Sequence, residues 1–243
     1  MVDIHSHILP EVDDGAKSWE MAVHMCAMAA RDGIEHMVAT PHANDEFFYD
    51  RKYLRGVLAE LQQRIEKVPR LSLGCDFHFS YENLQRLDDD PHQYTIEETP
   101  YLLVELSDYA IPPSVTLNLE ELVNSGLKPI ITHPERNPLL MRRPEQVLEW
   151  IQVGCPVQVT ASSLTNLWGD AAKKVSHWLL KRHAVHILAT DAHSIDGRPP
   201  ILSVARGIVA DMYGEERAEA LVNGNPAAVV AGEPLVYFPP IEG

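Results

Sequence analysis

Short apolar runs alternate with amphipathic stretches along this chain, and the alternation predicts strands and helices in turn. A β-branched run at residues 2–4 leads into two histidines one residue apart, His5 and His7. Alternate residues of a strand point the same way, so both imidazoles project from one side of the strand end. Ser18 is positioned as an N-cap, Met21, Met25, Met28 and Ala29 mark one helical face, and Gly33 is a C-terminal stop. Residues 34–40 read as a second strand closed by Pro41-His42. A polar, aromatic loop over 43–50 then precedes a helix near 54–68, with Leu54, Val57, Leu58, Leu61 and Ile65 at helical spacing. Further strands are expected at 71–77, 101–106, 128–132, 156–160 and 186–190. Helices are expected at 113–126, 144–153, 162–183 with a break at Gly169, 201–213, 215–223 and 226–231, before a Pro-rich tail from about 233. The polar, acidic residues 80–99 read as an irregular excursion. About seven strands alternating with helices imply parallel strands with helical crossovers, an α/β barrel, and no linker divides residues 1–243 into more than one domain.

The polar residues fall where such a fold builds its sites. Six of the seven expected strands end on a metal-competent side chain: His5 and His7, His42, Asp76, Glu105, His133, and Asp191 with His193. Only 156–160 supplies none. Asp14 joins them from the Pro-containing loop that ends at Gly15. Strand C-termini converge on one face in parallel α/β folds. Imidazole plus carboxylate without thiolate suits Mn, Fe, Zn or Co and disfavours a structural zinc cage. Nine candidate ligands are too many for one ion, so a cluster of two or three, bridged by carboxylates, is expected.

Composition narrows the partners. Lys and Arg number 20 against 35 Asp and Glu, a formal charge of -15. That balance argues against a nucleic-acid backbone or an anionic membrane surface as the main partner. Three widely spaced cysteines, Cys26, Cys75 and Cys155, fit a reducing compartment and not a disulfide framework. None opens a Cys-x5-Arg phosphatase loop. Without a basic, apolar leader or an apolar run of transmembrane length, a cytoplasmic location with no membrane insertion is expected. His24, His36, His177, His183 and His186 read as packed or solvated, and His78 reads the same way, although two residues past Asp76 it is within reach of the site. Phe47-Phe48-Tyr49 either lines the substrate entrance or packs on the barrel rim.

Several phrases carry a family resemblance: Asp3-Ile-His-Ser-His-Ile-Leu-Pro-Glu-Val-Asp-Asp-Gly-Ala, Ala39-Thr-Pro-His, Ile131-Thr-His-Pro-Glu-Arg-Asn and Ala189-Thr-Asp-Ala-His. Together they resemble the polymerase-and-histidinol-phosphatase (PHP) superfamily, and more closely its bacterial manganese-dependent protein tyrosine phosphatases of capsule and exopolysaccharide systems. The likeness runs from residue 2 to about 232. It implies a distorted (β/α)7 barrel with the metal site at the C-terminal strand ends, Mn2+ as the ion, and hydrolysis of phosphotyrosine by metal-activated water. By resemblance the first ion takes His5, His7, Asp191 and a bridging Asp76, the second Asp76, Glu105 and His133, and the third Asp14, His42 and His193. The bridging position in the relatives is usually Glu, one methylene longer. Arg136 and Arg198 stand where the resemblance places phosphate-holding arginines, and a guanidinium fork suits two phosphate oxygens. The implied protein substrate is a bacterial tyrosine kinase of the polysaccharide machinery, and self-association is left open. Two other readings share these residues: a small-molecule phosphomonoesterase such as a histidinol phosphatase, and a catalytically weak metal-binding regulator.

Overall fold

The computed structural model describes residues 1–65 and 67–241. In chain order the elements are β1 (Val2–Ser6), α1 (Trp19–Asp32), β2 (His36–Ala39), β3 (His42–Ala43), α2 (Arg51–Arg64), β4 (Arg70–Leu73), β5 (Asp76–His78), α3 (Tyr81–Asp89), β6 (Tyr101–Glu105), α4 (Ser114–Asn124), β7 (Lys128–Thr132), α5 (Glu145–Val153) and β8 (Val157–Thr160). There follow α6 (Ala161–Leu164), α7 (Gly169–Lys181), β9 (Ile187–Ala189), α8 (Ser203–Tyr213), α9 (Glu215–Glu219) and, after a π turn, α10 (Asn225–Ala231). All paired strands are parallel, in the orders β1-β2-β4 and β3-β5-β6-β7-β8-β9. β2 and β3 are one path broken at Thr40-Pro41, and β4 and β5 another broken at Gly74-Cys75, so the nine strands among the described residues trace seven paths. Backbone hydrogen bonds run on through the break, from Gly74 N to Ala39 O and from Asp76 N to Pro41 O. Proline removes a donor from the first broken path. At the second, a Cβ on Gly74 would lie 2.8 Å from the Ile96 side chain, so only glycine lets the chain pass.

The two outer edges meet near the chain ends. Ser6 bridges Ala192 in parallel, Asp191 N donates to His5 O at 2.8 Å, and His7 N donates to Ala192 O at 2.8 Å. Beneath this join the fully buried Asp3 accepts from Thr190 N at 3.0 Å and from the Thr190 hydroxyl. Apolar side chains fill both faces of the strands. Val2, Ile4, Val38, Leu103, Ile130 and Ile187 pack together with Val229 of α10. The alternate positions Met37, Ala39, Leu102, Val104, Ile131 and Leu188 pack into the larger core under the other helices.

The expected helix signals hold at α1, where the Ser18 hydroxyl accepts from Met21 N at 3.2 Å and Gly33 takes a left-handed conformation. Two expectations are corrected. The helix expected at 54–68 is α2, which starts earlier, at Arg51, because Asp50 caps it by accepting from Tyr53 N at 3.0 Å; it ends at Arg64, and Glu66 lies outside the described residues. Residues 80–99 are not irregular throughout: Ser80 caps α3, and two 3-10 turns follow. The α3 stripe that faces inward includes only Asn83 and Leu87 as buried residues, too short a signal to stand out from its acids. Asn83 Nδ2 donates to Ala43 O at 2.7 Å and to His78 O at 2.9 Å, tying together the ends of β3 and β5. No helix among the described residues is long and apolar enough to cross a membrane.

His186 is packed, as the sequence indicates. Its ring is fully buried, Nδ1 accepts from Val157 N at 3.0 Å, and burial, followed by the Arg217 charge, pushes its pKa down to about 3. The unfolded chain therefore binds a proton near pH 6.5 that the folded chain refuses until about pH 3. The neutral ring's contribution is complete above pH 6.5 and is lost as pH falls toward 3. Denaturation at pH 7 and pH 5 should show His186→Gln losing about 2 kcal/mol less over this interval than the parent chain. Equal losses would show that His186 is not the group that titrates.

Candidate metal centre

β1 ends by delivering His5 and, just past it, His7; Asp76 opens β5 and His42 opens β3, Glu105 closes β6, His133 follows β7, and Asp191 and His193 follow β9. The loop after β1 folds back so tightly that a Cβ on Gly15 would lie 2.0 Å from His7 O, and Ala16 N donates to that oxygen at 3.1 Å. This turn brings Asp14 over the strand ends. His133 and Asp191 have φ of 33° and 50°, left-handed values that non-glycine residues rarely adopt. Such strain persists only where surrounding structure enforces it and often marks functional positions.

All nine candidate ligands converge. Four groups have their ligand atoms within 4.8 Å of one another: His7, Asp14, His42 and His193; His5, His7 and Asp76; His5, His133 and Asp191; and His42, Asp76 and Glu105. His5, His7, His42 and Asp76 each belong to two groups, so the groups form one continuous cluster. The grouping departs from the resemblance: His7 also falls with Asp14, His42 and His193, and His133 and Glu105 part. His133 falls with His5 and Asp191, while Glu105 and Asp76 take His42 as their third member, although His133 Nε2 stays 3.7 Å from Glu105 Oε1.

The imidazoles are held in a metal-ready orientation. His5 Nδ1 is 2.9 Å from Gln158 Oε1 and His7 Nδ1 is 2.7 Å from Asp13 Oδ2, which assigns the Nδ1 proton to both rings. Their Nε2 atoms then face each other at 3.4 Å, and each is 3.4 Å from Asp191 Oδ1. Asp76 is fully buried, and neither of its oxygens has a hydrogen-bond donor among the described residues. The nearest nitrogens, His42 Nδ1 at 3.2 Å and His5 Nε2 at 3.4 Å, do not meet hydrogen-bond geometry. A buried carboxylate left so is costly unless a cation completes it.

The electrostatics agree. Burial would raise the Asp76 and Asp191 carboxyls, but His5 beside Asp76, and Arg136 and His5 beside Asp191, hold both well below the usual carboxylate range. Burial would lower His7 and His42, but Asp13 drives His7 up to about 9, and Asp14 with Asp76 drives His42 up to about 11. The carboxylates that draw protons onto these rings would draw a cation in their place, since metal and proton compete for the same lone pairs. His193 goes the other way, to about 4, through burial and the His7 charge.

Arg136 and Arg198 both donate to Asp191 Oδ2. Asp191 is thus divided, one oxygen toward the histidines and the other toward the arginines. Arg136 also donates to Thr160 Oγ1 at 3.2 Å, and both guanidiniums lie over the Trp168 ring. A cavity of about 520 Å³ opens beside the cluster, with Asp14, His42, Phe47, His78, Glu105 and Tyr109 among its walls. His78 does face the site, its Nδ1 3.7 Å from Glu105 Oε2. Phe47 lines this cavity, stacked at 6.0 Å on His42, while Tyr49 packs inside and donates to Gly74 O at 2.9 Å.

Sequence reasoning missed Asp13, Gln158 and Trp168. Asp13 was hidden beside the better-placed Asp14. Gln158 left one trace, a lone amide in the run Val157-Gln-Val-Thr160, which is buried throughout. Trp168 left none. β8, which supplies no ligand, instead supplies the supports: Gln158 for His5 and Thr160 for Arg136.

The model of the family described as "Capsular polysaccharide synthesis, CpsB/CapC" matches residues 1–231, a span that holds every residue of the cluster. The chain belongs to the CpsB/CapC family. Among CpsB/CapC relatives, the tyrosine-protein phosphatase CpsB of Streptococcus pneumoniae is 29% identical over 239 residues, covering 95% of this chain and 98% of CpsB. CapC of Staphylococcus aureus is 33% identical over 230 residues, covering 92% of this chain and 89% of CapC. The crystal structures of YwqE from Bacillus subtilis and CpsB from Streptococcus pneumoniae, described as unique metal-dependent tyrosine phosphatases, include a chain that matches with a TM-score of 0.92 at 27% identity, covering 100% of both chains. The PHP-type α/β architecture expected from the sequence is therefore the CpsB/CapC architecture.

Proposed function

We propose that this CpsB/CapC chain is a metal-dependent protein tyrosine phosphatase serving capsular or exopolysaccharide synthesis in the cytoplasm. The observation that carries the reading is the buried Asp76 carboxylate, set among imidazoles with no hydrogen-bond donor among the described residues, beside two arginines gathered on Asp191. The donor set of imidazole nitrogens and carboxylate oxygens fits divalent Mn2+, with Fe, Zn or Co as other ions it can hold, and the overlapping groups have ligands enough for two or three. Bound cations of this kind acidify water and place positive charge against phosphoryl oxygens.

The chain's own residues supply the rest. Arg136 and Arg198 donate to the phosphoryl oxygens as charge redistributes over them. Asp191 Oδ2 holds both forks on the site's edge, and Asp13 and Gln158 keep His7 and His5 from turning. The cavity beside His42 and Phe47 receives the phenyl ring. A phenol has a pKa of about 10, so its anion leaves more readily than an alkoxide and needs little help from a general acid. No side chain has to form a phosphoenzyme. The family and its named phosphatases support a phosphotyrosine protein as substrate, and a tyrosine kinase of the polysaccharide machinery is the candidate.

The deciding assay compares Mn-loaded protein on a tyrosine phosphopeptide, a serine phosphopeptide and histidinol phosphate. Turnover on the tyrosine peptide is expected to exceed the other two at least tenfold, since only it has an aryl leaving group. Preference for histidinol phosphate would make this a small-molecule phosphatase. Bound metal with no hydrolysis of any ester would make it a regulator.

A further inference from the structure

The two arginines share more than a carboxylate. The guanidinium carbon of Arg136 lies 3.8 Å from the Trp168 ring centroid, and that of Arg198 lies 5.1 Å from it. Trp168 stands between α6 and α7, half-buried, and its Nε1–H donates to Ser162 Oγ at 3.0 Å. That hydrogen bond fixes the plane of the ring. Ser162 lies in α6, directly after the strand whose Thr160 accepts from Arg136. Two supports from one stretch of chain, Thr160 on Arg136 and the anchored Trp168 on both, therefore reach the arginine pair. An aromatic face carries negative charge density and attracts cations, most strongly when they are partly desolvated.

We propose that Trp168 is a positioning residue for the phosphoryl end of the substrate: its indole seats Arg136 and Arg198 together, so that both forks are already ordered when a phosphate arrives. The proposal rests on the phosphatase reading. Two guanidiniums brought to one oxygen of Asp191 repel each other, and phosphate binding must draw their donors away from that oxygen. A flexible arginine would lose side-chain freedom at that moment, whereas one already stacked has lost it before binding. The indole face stays in contact while the hydrogen-bond partner changes from carboxylate to phosphate. The side chain acts through the arginines and needs no contact with the substrate.

The experiment uses Trp168→Phe and Trp168→Leu in the full, Mn-loaded chain. It measures inorganic phosphate binding by calorimetry, KM and kcat on a tyrosine phosphopeptide, manganese content and melting temperature. Trp168→Leu is expected to weaken phosphate binding and raise KM about tenfold, with manganese content and melting unchanged. Trp168→Phe, which keeps an aromatic face, should recover most of both. If Trp168→Leu melts early, Trp168→Met takes its place as the non-aromatic arm. Equal behaviour of the Phe and aliphatic variants, or unchanged phosphate binding in the aliphatic one, overturns the proposal in favour of simple packing. A parent chain that binds phosphate but leaves phosphotyrosine intact would sink the phosphatase reading instead, and the calorimetry would still report on Trp168.

Discussion

Asp191→Ala is expected to lower kcat/KM on a tyrosine phosphopeptide by about a thousandfold or more, the largest loss at any single position. One oxygen of this carboxylate faces His5 and His7, and the other receives Arg136 and Arg198. On the proposed reading, losing this carboxylate removes a ligand from the metal cluster, and losing the shared acceptor releases both arginine forks. Displacing either kind of support alone typically costs about a hundredfold. Asp191→Asn keeps the volume but turns one oxygen into an amide that confronts either the cations or the guanidiniums with like polarity. Metal analysis alongside kinetics checks the account: Asp191→Ala should lose bound metal as well as rate. A variant that kept both full metal content and full turnover would remove Asp191 from the site.

Stripping metal with a chelator should abolish hydrolysis and lower the melting temperature together. Asp76 and Asp191 are buried anions, and a cation bound only by the folded chain stabilises it by about 2.7 kcal/mol at a hundredfold excess over Kd. For a chain of this size that is about 5 to 10 °C. Calorimetric scans with chelator and after re-addition of Mn, Fe, Co or Zn read this directly, and activity should return in parallel with the melting temperature. Full activity in metal-free protein would rule out the reading. A melt unmoved by metal would show that the imidazoles alone neutralise the carboxylates.

The candidate ligands were legible in the sequence where each ends an apolar run, because a polar group at the mouth of a buried strand has few structural uses. His5, His42, Glu105, His133 and Asp191 all stand out in this way. Their sharing could not be read: that His133 joins His5 while Glu105 joins His42 depends on strand tilt and on the breaks at Pro41 and Gly74. The break at Gly74 divides one expected strand, the break at Pro41 falls just past the end of another, and together they set the height at which His42 and Asp76 enter. α3 escaped notice because two buried positions make no periodic stripe. Trp168 escaped because its partners lie 32 and 30 residues away along the chain, and an aromatic residue in a loop looks the same whether it packs on apolar groups or seats a cation.

The join between β1 and the segment after β9 has a consequence for the newborn chain. His5 and His7 are made well before Asp191, their shared neighbour, and Asp3 well before its partner Thr190. At about 5 to 20 residues per second, roughly 10 to 40 s separate the two segments. Throughout that interval the opening strand has no partner on one side and its histidines face an incomplete set of acids. Completing the candidate cluster therefore waits until Asp191 and His193 have emerged. A chain cut short before Asp191 would emerge with most of its apolar core but without two of the nine candidate ligands and without the carboxylate on which Arg136 and Arg198 meet.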